Sequence, residues 1–416
     1  MRVAVVGAGV SGLVVAHLLH GEHDVTVFEA GAYAGGHTNT VRVETSTQTL
    51  HVDTGFIVFN DRNYPNFERL LRRLGVAWQP SCMSFGVSDT RGDFEYCSAS
   101  PNGLFAKRSH LLTPWFHRMV CDLARFSRAG RELLAQRETE SEISLGEWLE
   151  RHRFSRAFVE RLIVPQVAAV WSADPRQRFS FPARFLVEFF ENHGMLSLRG
   201  RPRWRTVSGG SARYVEALTA PLEGRVRLCT PVESVSRHPD RVLVKPRGGE
   251  PESFDEVVLA THSDQALAML ADATDAEHEI LGVIPYQRNE AVLHSDVRLL
   301  PRRRRAWASW NYHLLEQPSD RATVTYHMNR LQSLQSDTPL CVTLNRSEHI
   351  DPARVIRTIE YAHPVFTGAG RAAQRRWQQI SGRNRTSYCG AYWGWGFHED
   401  GVVSALRAAR RLGGRL

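Results

Sequence analysis

Three closely spaced glycines near the start of the chain are typical of a site that binds phosphate groups. Gly7, Gly9 and Gly12 follow the apolar run Arg2–Val6 directly and lead into a stretch with helical spacing of leucine and alanine. In a strand, turn and helix of this kind, Gly7 permits a tight turn, Gly9 leaves room for a pyrophosphate, and Gly12 lets the helix approach the strand. The first helical turn, which includes Ser11, then offers N–H groups and a positive dipole end to the phosphates.

An acidic residue follows at the distance typical of a ribose-binding carboxylate. Glu29 ends a second apolar run, and its side chain is expected to accept hydrogen bonds from an adenosine ribose. A 2′-phosphate would be repelled by this charge, which argues against NADP and leaves FAD and NAD open. A second glycine-rich turn at residues 35–38 would bring more N–H groups to the pyrophosphate. Together these features predict a dinucleotide site.

The composition limits the remaining classes of function. The chain has 416 residues, enough for two domains, and its 52 basic against 44 acidic residues give a net charge of +8. This excess favours anionic surfaces, but no nucleic-acid-binding motif accompanies it, so no nucleic acid is expected. Six cysteines without regular spacing indicate reduced thiols. Because no signal peptide and no apolar run of ~18 residues is present, we expect a cytoplasmic protein, at most peripheral on the inner face of the membrane.

One dense basic run has two interpretations. Arg302, Arg303, Arg304 and Arg305 stand together, and Trp307 follows closely. They could form a solvated loop, or an interfacial patch in which arginines contact lipid phosphates of an anionic membrane and tryptophan lies at headgroup depth.

The pattern along the chain predicts an α/β protein with two domains. Helical spacing dominates residues 113–193, whereas strand-like runs return at 226–260, 286–294, 322–328 and 386–391. We therefore expect a discontinuous, Rossmann-like cofactor domain from residues 1–105, 205–270 and 380–416. Residues 106–204 and 271–379 are expected to form a substrate domain of mixed sheet and helices.

Several longer segments are similar to a known superfamily. They read GAGVSG from Gly7, GGHTNT from Gly35, VDTGFIVFN from Val52, ATH from Ala260 and CGAYWGWGFHEDG from Cys389. The chain resembles the flavin amine oxidases and phytoene desaturases, and most closely a bacterial branch described as NAD/FAD-binding oxidoreductases. This resemblance implies a two-domain fold of the amine oxidase type and an FAD cofactor that takes a hydride from a substrate carbon. For the branch it also implies modification of lipid acyl chains.

The motifs and the resemblance together give a set of candidate cofactor contacts. They are Gly7, Gly9, Ser11, Gly12, Glu29, Gly35, Gly36, His37, Thr38, Thr54, Gly55, Phe56, Val232, Thr261, Gly390, Phe397, His398 and Asp400. The helix after Phe397 is expected to point its N–H groups at the flavin ring, where negative charge develops on reduction. No metal site is expected.

The chain departs from the amine oxidases at three places. Asn289 stands where those enzymes carry a lysine beside the flavin, and Cys389 lies too near the C-terminus to be their covalent tether. Of their two cage tyrosines, only one has a counterpart, Phe397. We therefore expect non-covalent FAD and a dehydrogenase or desaturase of a long apolar substrate such as a phospholipid acyl chain. An amine oxidase and a non-catalytic flavin redox sensor stay as alternatives.

Three residues are candidates for catalysis. Tyr312, on a strand-like segment, could orient a substrate or relay a proton, and Asn289 occupies the lysine position. His193 either caps the preceding helix or lines an acyl cavity.

Overall fold

Helices dominate the middle of the sequence, and strands dominate the two ends. The computed structural model describes residues 1–136, 143–171, 182–197, 200–317 and 321–416. Its strands are, in chain order, β1 (Arg2–Val6), β2 (Asp24–Phe28), β3 (Thr40–Glu44), β4 (Thr49–Asp53), β5 (Phe59–Asn60), β6 (Trp78–Pro80), β7 (Phe85–Asp89), β8 (Glu95–Cys97), β9 (Trp204–Val207), β10 (Val226–Arg227), β11 (Val232–Arg237), β12 (Val242–Pro246), β13 (Glu252–Phe254), β14 (Glu256–Leu259), β15 (Tyr286–His294), β16 (Trp310–Leu314), β17 (Val324–His327), β18 (Cys341–Leu344), β19 (Val355–Pro364) and β20 (Thr386–Tyr388). Its α-helices are α1 (Val10–Leu19), α2 (Pro65–Arg73), α3 (Pro101–Leu104), α4 (Pro114–Ala135), α5 (Leu145–Arg151), α6 (Arg156–Phe158), α7 (Val164–Trp171), α8 (Ala183–Asn192), α9 (Ala212–Thr219), α10 (Ser263–Met269), α11 (Asp275–Leu281), α12 (Met328–Leu331), α13 (Gly368–Arg375) and α14 (His398–Arg411).

A five-stranded parallel sheet carries the glycine motif. Its strand order is β10, β2, β1, β14, β20, and every pair in it is parallel. The strands are apolar and rich in valine because helices such as α1 and α14 cover the sheet. Parallel strands end at one edge, so Gly7, Glu29, Ala260 and Cys389 follow their strands on the same side. This arrangement confirms the α/β class predicted from the sequence.

A second sheet of seven strands stands apart from the first. Its order is β19, β15, β18, β17, β16, β7, β8, and only the β16 and β7 pair is parallel. The predicted domain division assigned residues 85–97 to the cofactor part, whereas β7 pairs with β16, and β8 with β7, in the seven-stranded sheet. The pairing partner lies over 200 residues away in sequence, so local patterning carries no signal for it.

The helical middle of the chain packs against the seven-stranded sheet. Helix α4 buries Phe116, Met119 and Phe126, and the predicted capping box joins Ser144 and Glu147 at the start of α5. Helix α4 is the longest in the described ranges, and it carries several charged residues along its length. Within those ranges, no helix combines the length and the apolar character needed to cross a bilayer.

A buried carboxylate, that of Asp53, joins segments that lie far apart in the sequence. Asp53, at the end of β4, accepts hydrogen bonds from Ser211 N at 2.9 Å, from Ser211 Oγ at 2.9 Å and from Thr40 Oγ1 at 2.5 Å. Gln332, which follows α12, donates to it at 2.9 Å from its side-chain amide. Burial raises the pKa of Asp53 to about 7, although the bonds from Thr40 and Ser211 oppose that shift.

Candidate active site

One long cavity runs from the parallel sheet to the seven-stranded sheet. Its volume is about 1180 Å³. We call the part bordered by the glycine turns the cofactor end; its walls include Gly7, Gly9, Glu29, Gly36, Val232, Thr261 and Gly390. We call the part between the seven-stranded sheet and the helices the substrate end; its walls include Leu123, Leu162, Val170, Trp310, Tyr326 and Leu344.

The first glycine turn leaves open space where a phosphate group would bind. Gly7 has φ +102°, and a Cβ on it would lie 2.9 Å from the carbonyl oxygen of Ala260. A Cβ on Gly12 would lie 1.9 Å from the carbonyl oxygen of Gly7, so this glycine is required by packing and does not border the cavity. Gly9 does border it, and a Cβ there would meet no atom within 4 Å. These residues therefore fit a pyrophosphate as the motif predicted.

Glu29, which directly follows the neighbouring strand β2, forms a hydrogen bond with the first glycine turn. Its carboxylate accepts hydrogen bonds from Ala8 N and from Gly31 N, each at 2.7 Å, and it borders the cavity. Each oxygen has a further lone pair available for a ribose hydroxyl. Ser11 also borders the cavity, while its hydroxyl donates to the carbonyl oxygen of Gly401 on α14 at 3.0 Å.

The second glycine turn lies against the first. Gly35 N donates to Ala8 O at 2.7 Å, and a Cβ on Gly36 would lie 3.2 Å from Gly9 Cα. Gly36 has φ +58°, a left-handed conformation that favours glycine. Both glycine turns therefore meet at one point of the cavity wall.

The start of α14 faces the cavity through two aromatic rings. Phe397 and His398 border the cavity, and His398 stacks on Phe56 with 3.5 Å between ring centroids. His398 Nε2 hydrogen-bonds to Tyr214 OH at 2.8 Å and to Thr38 Oγ1 at 3.0 Å. Burial holds the pKa of His398 well below its ordinary value, so the ring is neutral. Thr38 thus lies behind His398 and is not a wall residue.

Asp400 shapes the turn before α14 and does not border the cavity. Its carboxylate accepts hydrogen bonds from Trp395 N at 3.0 Å and Phe397 N at 2.9 Å. A Cβ on Gly394 would lie 2.1 Å from Asp400 Oδ1, which explains the glycine between the aromatics. Burial raises the pKa of Asp400 to about 6, and these two hydrogen bonds oppose the shift.

A cluster of three histidines and a tyrosine lines the cavity beside Thr54 and Gly55. The His37 ring stacks on Tyr361 at 4.9 Å and lies 5.2 Å from His363 and 6.0 Å from His262. Burial, followed by repulsion between neighbouring rings, lowers the pKa of His37 and His262 to about 4 and that of His363 to about 3. The sequence predicted only His37 as a site residue. The alternation of Ile359, Tyr361 and His363 along the sequence is the pattern from which strand β19 could have been predicted.

The hydrogen-bond network fixes the tautomer of His363. Asn345 Nδ2 donates to the carbonyl oxygen of Ala322 at 2.9 Å and to Asn289 Oδ1 at 2.8 Å. The amide group of Asn289 therefore points its nitrogen at His363 Nδ1, 3.0 Å away. Because His363 Nδ1 accepts this hydrogen bond, the neutral ring carries its proton on Nε2. Asn289 is fully buried and does not border the cavity, so it positions His363 from behind.

His193 has the opposite tautomer. Its Nδ1 lies 2.9 Å from the carbonyl oxygen of Phe189, which can only accept, so the proton is on Nδ1 and Nε2 carries a lone pair. Burial lowers the pKa of His193 to about 4. The residue both ends helix α8 and lines the cavity, stacked near Phe189 and Trp204. His193 is therefore both the C-cap of α8 and a residue of the cavity wall.

The structure places Tyr312 in the core and not on the cavity wall. It is 5% exposed within β16 and belongs to the hydrophobic core between the sheet and the helices. Trp310, also on β16, and its pairing partner Tyr326 on β17 line the cavity instead, with ring centroids 4.9 Å apart. Residues two apart in a strand share a face of the sheet, so Tyr312 differs from Trp310 by its position along β16, where it packs in the core that the sheet forms with the helices.

The substrate end is mainly apolar and has no acidic side chain among its described residues. The carboxylates on the cavity wall, Glu29 and Glu233, both lie at the cofactor end. Ser98 and Arg201 are exposed wall residues of the substrate end, so the cavity approaches the surface beside them. Arg302 to Arg305 do not border the cavity. Over the described ranges, no group of three or more His, Cys, Asp or Glu could hold a metal ion.

Comparison with known proteins agrees with this geometry. The sequence profile of the flavin containing amine oxidoreductases matches residues 10–290, more than half of the chain. A protein from Exiguobacterium sp. 255-15 to which protoporphyrinogen oxidase activity is ascribed has a similar fold, with a TM-score of 0.69, 19% identity, and coverage of 99% of this chain and 98% of that one. Cyclohexylamine oxidase from Brevibacterium oxydans IH-35A gives a TM-score of 0.68 at 15% identity, with 98% of both chains covered.

A fatty acid isomerase from P. acnes, which produces CLA, gives a TM-score of 0.66 at 15% identity, with 98% of both chains covered. No curated protein sequence matches the chain. At these identities the structural similarities establish the fold, whereas the sequence profile establishes the family. The chain belongs to the flavin-containing amine oxidoreductase family and is an FAD-dependent oxidoreductase.

Proposed function

We propose that this enzyme dehydrogenates a long apolar substrate, such as an unsaturated phospholipid acyl chain, with non-covalently bound FAD. The observation that carries the proposal is the composition of the substrate end, which is lined mainly by aliphatic and aromatic side chains and has no acidic residue among those described. A cationic amine would lose its hydration there without gaining a carboxylate partner, which is costly. An acyl chain would lose only its contacts with water, and the transfer of apolar surface out of water is favourable.

Bound FAD would supply the acceptor for a hydride from a substrate carbon. In our proposal the glycine turns and Glu29 would hold its phosphates and ribose, and the N-terminus of α14 would stabilise the negative charge that develops on the flavin when it is reduced. Removal of a hydride from an allylic carbon leaves a delocalised cation on the substrate, and loss of a neighbouring proton completes a conjugated double bond. His193 Nε2, an unprotonated nitrogen on the wall of the cavity, is our candidate for accepting that proton.

His363 has a different role in this proposal. Its Nε2 carries a proton because Asn289 occupies Nδ1, so the ring donates a hydrogen bond and does not accept a proton. Asn289 acts as a positioning residue for that ring. In our proposal the neutral amide of Asn289, which contacts His363, takes the place of the lysine of the amine oxidases.

Amine oxidation is the second candidate, favoured by the family and by the cyclohexylamine oxidase neighbour. The fatty acid isomerase neighbour favours the first, because that protein of the same fold is named for a fatty acid. The absence of a carboxylate among the described residues of the substrate end decides between them in our proposal.

Anaerobic reduction of the purified flavoprotein tests the proposal. We expect bleaching of the flavin absorbance by phospholipids with unsaturated acyl chains and none by putrescine or cyclohexylamine. Acid precipitation of the same preparation should release FAD into the supernatant, since no covalent link is proposed. Bleaching by amines and not by lipids would establish amine oxidation instead, and a flavin retained in the precipitate would contradict the non-covalent cofactor.

A further inference from the structure

Three large apolar side chains are exposed close together at the start of α4. Leu111 is 49%, Leu112 90% and Trp115 40% exposed. Single exposed leucines are common, but a cluster at the surface indicates contact with a partner or a membrane. Leu112 is the most exposed large hydrophobic residue in the described ranges. We call these three residues the apolar tip.

Basic side chains surround the apolar tip. Lys107 and Arg108 belong to the same short segment, and the guanidinium of Arg161 lies 4.7 Å from the centre of the Trp115 ring. The pKa of His110, which lies within that segment, is lowered to about 4 by burial and then by the charges of Lys107, Arg161 and Arg303, while Asp89 opposes them. Three cations from separate parts of the chain therefore converge on this side of the molecule.

Half of the four cations on this side of the molecule have no carboxylate partner among the described residues. Lys107 pairs with Asp93 at 3.4 Å, and Arg303 pairs with Glu95 at 3.1 Å. Arg108 instead donates to the Asn102 side chain and to a backbone carbonyl, and Arg161 has no carboxylate partner among the described residues.

The arginine run noted in the sequence lies beside the same surface. A Cβ on Gly103 of α3 would lie 3.3 Å from the carbonyl oxygen of Arg305, while the neighbouring Asn102 bonds to Arg108 at 2.6 Å. Arg304 and Arg305 are exposed and have no carboxylate partner within the described ranges. Helix α3 thus joins the run to the apolar tip.

The surface is also connected to the substrate end of the cavity. Trp115 contacts Phe94 at 5.9 Å between ring centroids, and Phe94 contacts Tyr96 at 5.5 Å. Tyr96 lines the cavity, as does the exposed Ser98 two residues later. Two ring contacts therefore separate the apolar tip from the cavity wall.

We propose that this surface docks the enzyme on an anionic phospholipid bilayer. The apolar tip enters the headgroup region, and Lys107, Arg108, Arg161, Arg304 and Arg305 contact lipid phosphates. Apolar side chains rimmed by unpaired arginines match the chemistry of such an interface. The arginine run alone would give only electrostatic attraction, so the apolar tip supplies the part that salt does not screen. The test of docking does not depend on the substrate proposed above, because vesicle binding is measured without turnover.

Flotation of the FAD-loaded enzyme with vesicles tests the proposal. We expect binding to phosphatidylcholine vesicles that contain phosphatidylglycerol, and weaker binding when salt shortens the Debye length from about 10 Å at 0.1 M to about 3 Å at 1 M. The double variant Leu111→Asp and Leu112→Asp should bind at least about tenfold more weakly. The matched control is Leu228→Asp, which adds charge at a 40% exposed leucine after β10 and should bind as the parent does.

A second variant separates charge from insertion. Arg108→Glu with Arg304→Glu and Arg305→Glu should remove the preference for phosphatidylglycerol, and flavin content reports that every variant is folded. Binding of the leucine variant equal to that of the parent would overturn the proposal. The proposal would also be overturned if the parent enzyme does not bind the vesicles but forms a dimer that the leucine variant does not form. The surface would then bind a second copy of the chain.

Discussion

The two ends of the cavity are built in different ways. At the cofactor end, Gly7, Gly9 and Glu29 lie within one strand–turn–helix–strand unit, where the Glu29 carboxylate accepts a hydrogen bond from the backbone between the two glycines. At the substrate end, the wall combines α4, α7, α8, β16 and β17, which lie far apart in sequence. The first end depends on backbone shape, which tolerates few residue types, whereas the second depends on side-chain volume. Substitutions should therefore affect flavin retention at one end and turnover at the other.

The largest effect is expected at Gly12. In Gly12→Ala the new Cβ would lie 1.9 Å from the backbone oxygen of Gly7, so the helix and the strand must separate. The loss of unfolding free energy should exceed the roughly 1–3 kcal/mol usual for overpacking, because backbone and not side chain must move. Urea unfolding and FAD content should both report the loss.

Gly9→Ala distinguishes cofactor space from folding at the same turn. Its Cβ meets no protein atom within 4 Å, so the fold should persist while FAD binding weakens by about tenfold or more. Gly21→Ala, which is equally free of neighbours but lies outside the cavity, is the control. Equal FAD retention by both variants would mean that Gly9 does not face the pyrophosphate.

The substrate end should respond to added volume without loss of flavin. Leu162 lines the cavity, and Leu162→Trp would fill part of the space proposed for the substrate. We expect kcat/KM to fall by about tenfold or more, since small displacements of a substrate are costly to rate. The flavin spectrum and FAD content should match the parent. A parallel loss of flavin would show that the two ends do not act separately.

The carboxylate of Asp53 should make a pH-dependent contribution to stability. Its pKa is raised to about 7 by burial, so between pH 4 and 7 the folded state binds a proton that the unfolded state releases. The stabilising contribution is complete below about pH 4 and is lost as the pH rises through about 7. Relative to Asp53→Asn, the parent should lose unfolding free energy by about 1 kcal/mol per pH unit in this window.

Comparing the two proteins by urea unfolding at pH 5 and pH 7 cancels the contribution of the buried histidines, which both share. At pH 7 the Asn variant should differ from the parent by about 1–3 kcal/mol, because it alters bonds with Ser211 and Gln332. A difference that does not change with pH would contradict the raised pKa.

The smallest effect is expected from Asn289→Asp. A carboxylate facing His363 Nδ1 would favour a protonated ring and raise the pKa of His363 above its value of about 3. A new titration should appear in the pH dependence of the flavin spectrum, with at most a few-fold change in kcat. The double variant with His363→Asn should lack this titration, and its persistence there would assign it to another group.

The sequence by itself determined the features that arise within short segments. The glycine turns, Glu29 and the capping box of Ser144 and Glu147 follow from local steric and hydrogen-bonding rules, and they lie where the sequence predicted. Apart from the approach of Gly7 to Ala260, these contacts join residues that are close together in sequence, so spacing alone specifies them. The family follows from the sequence as well, through the match of its profile over residues 10–290.

Only the tertiary structure decided which distant side chains share the cavity. His363 reaches the site on β19, a strand absent from the sequence-based prediction, and Asn289 lies behind it while Tyr312 lies in the core. A shift of one residue in strand register would turn each of these side chains to the opposite face of the sheet. Register between strands about 70 residues apart is set by packing of the whole sheet, and no local pattern encodes it.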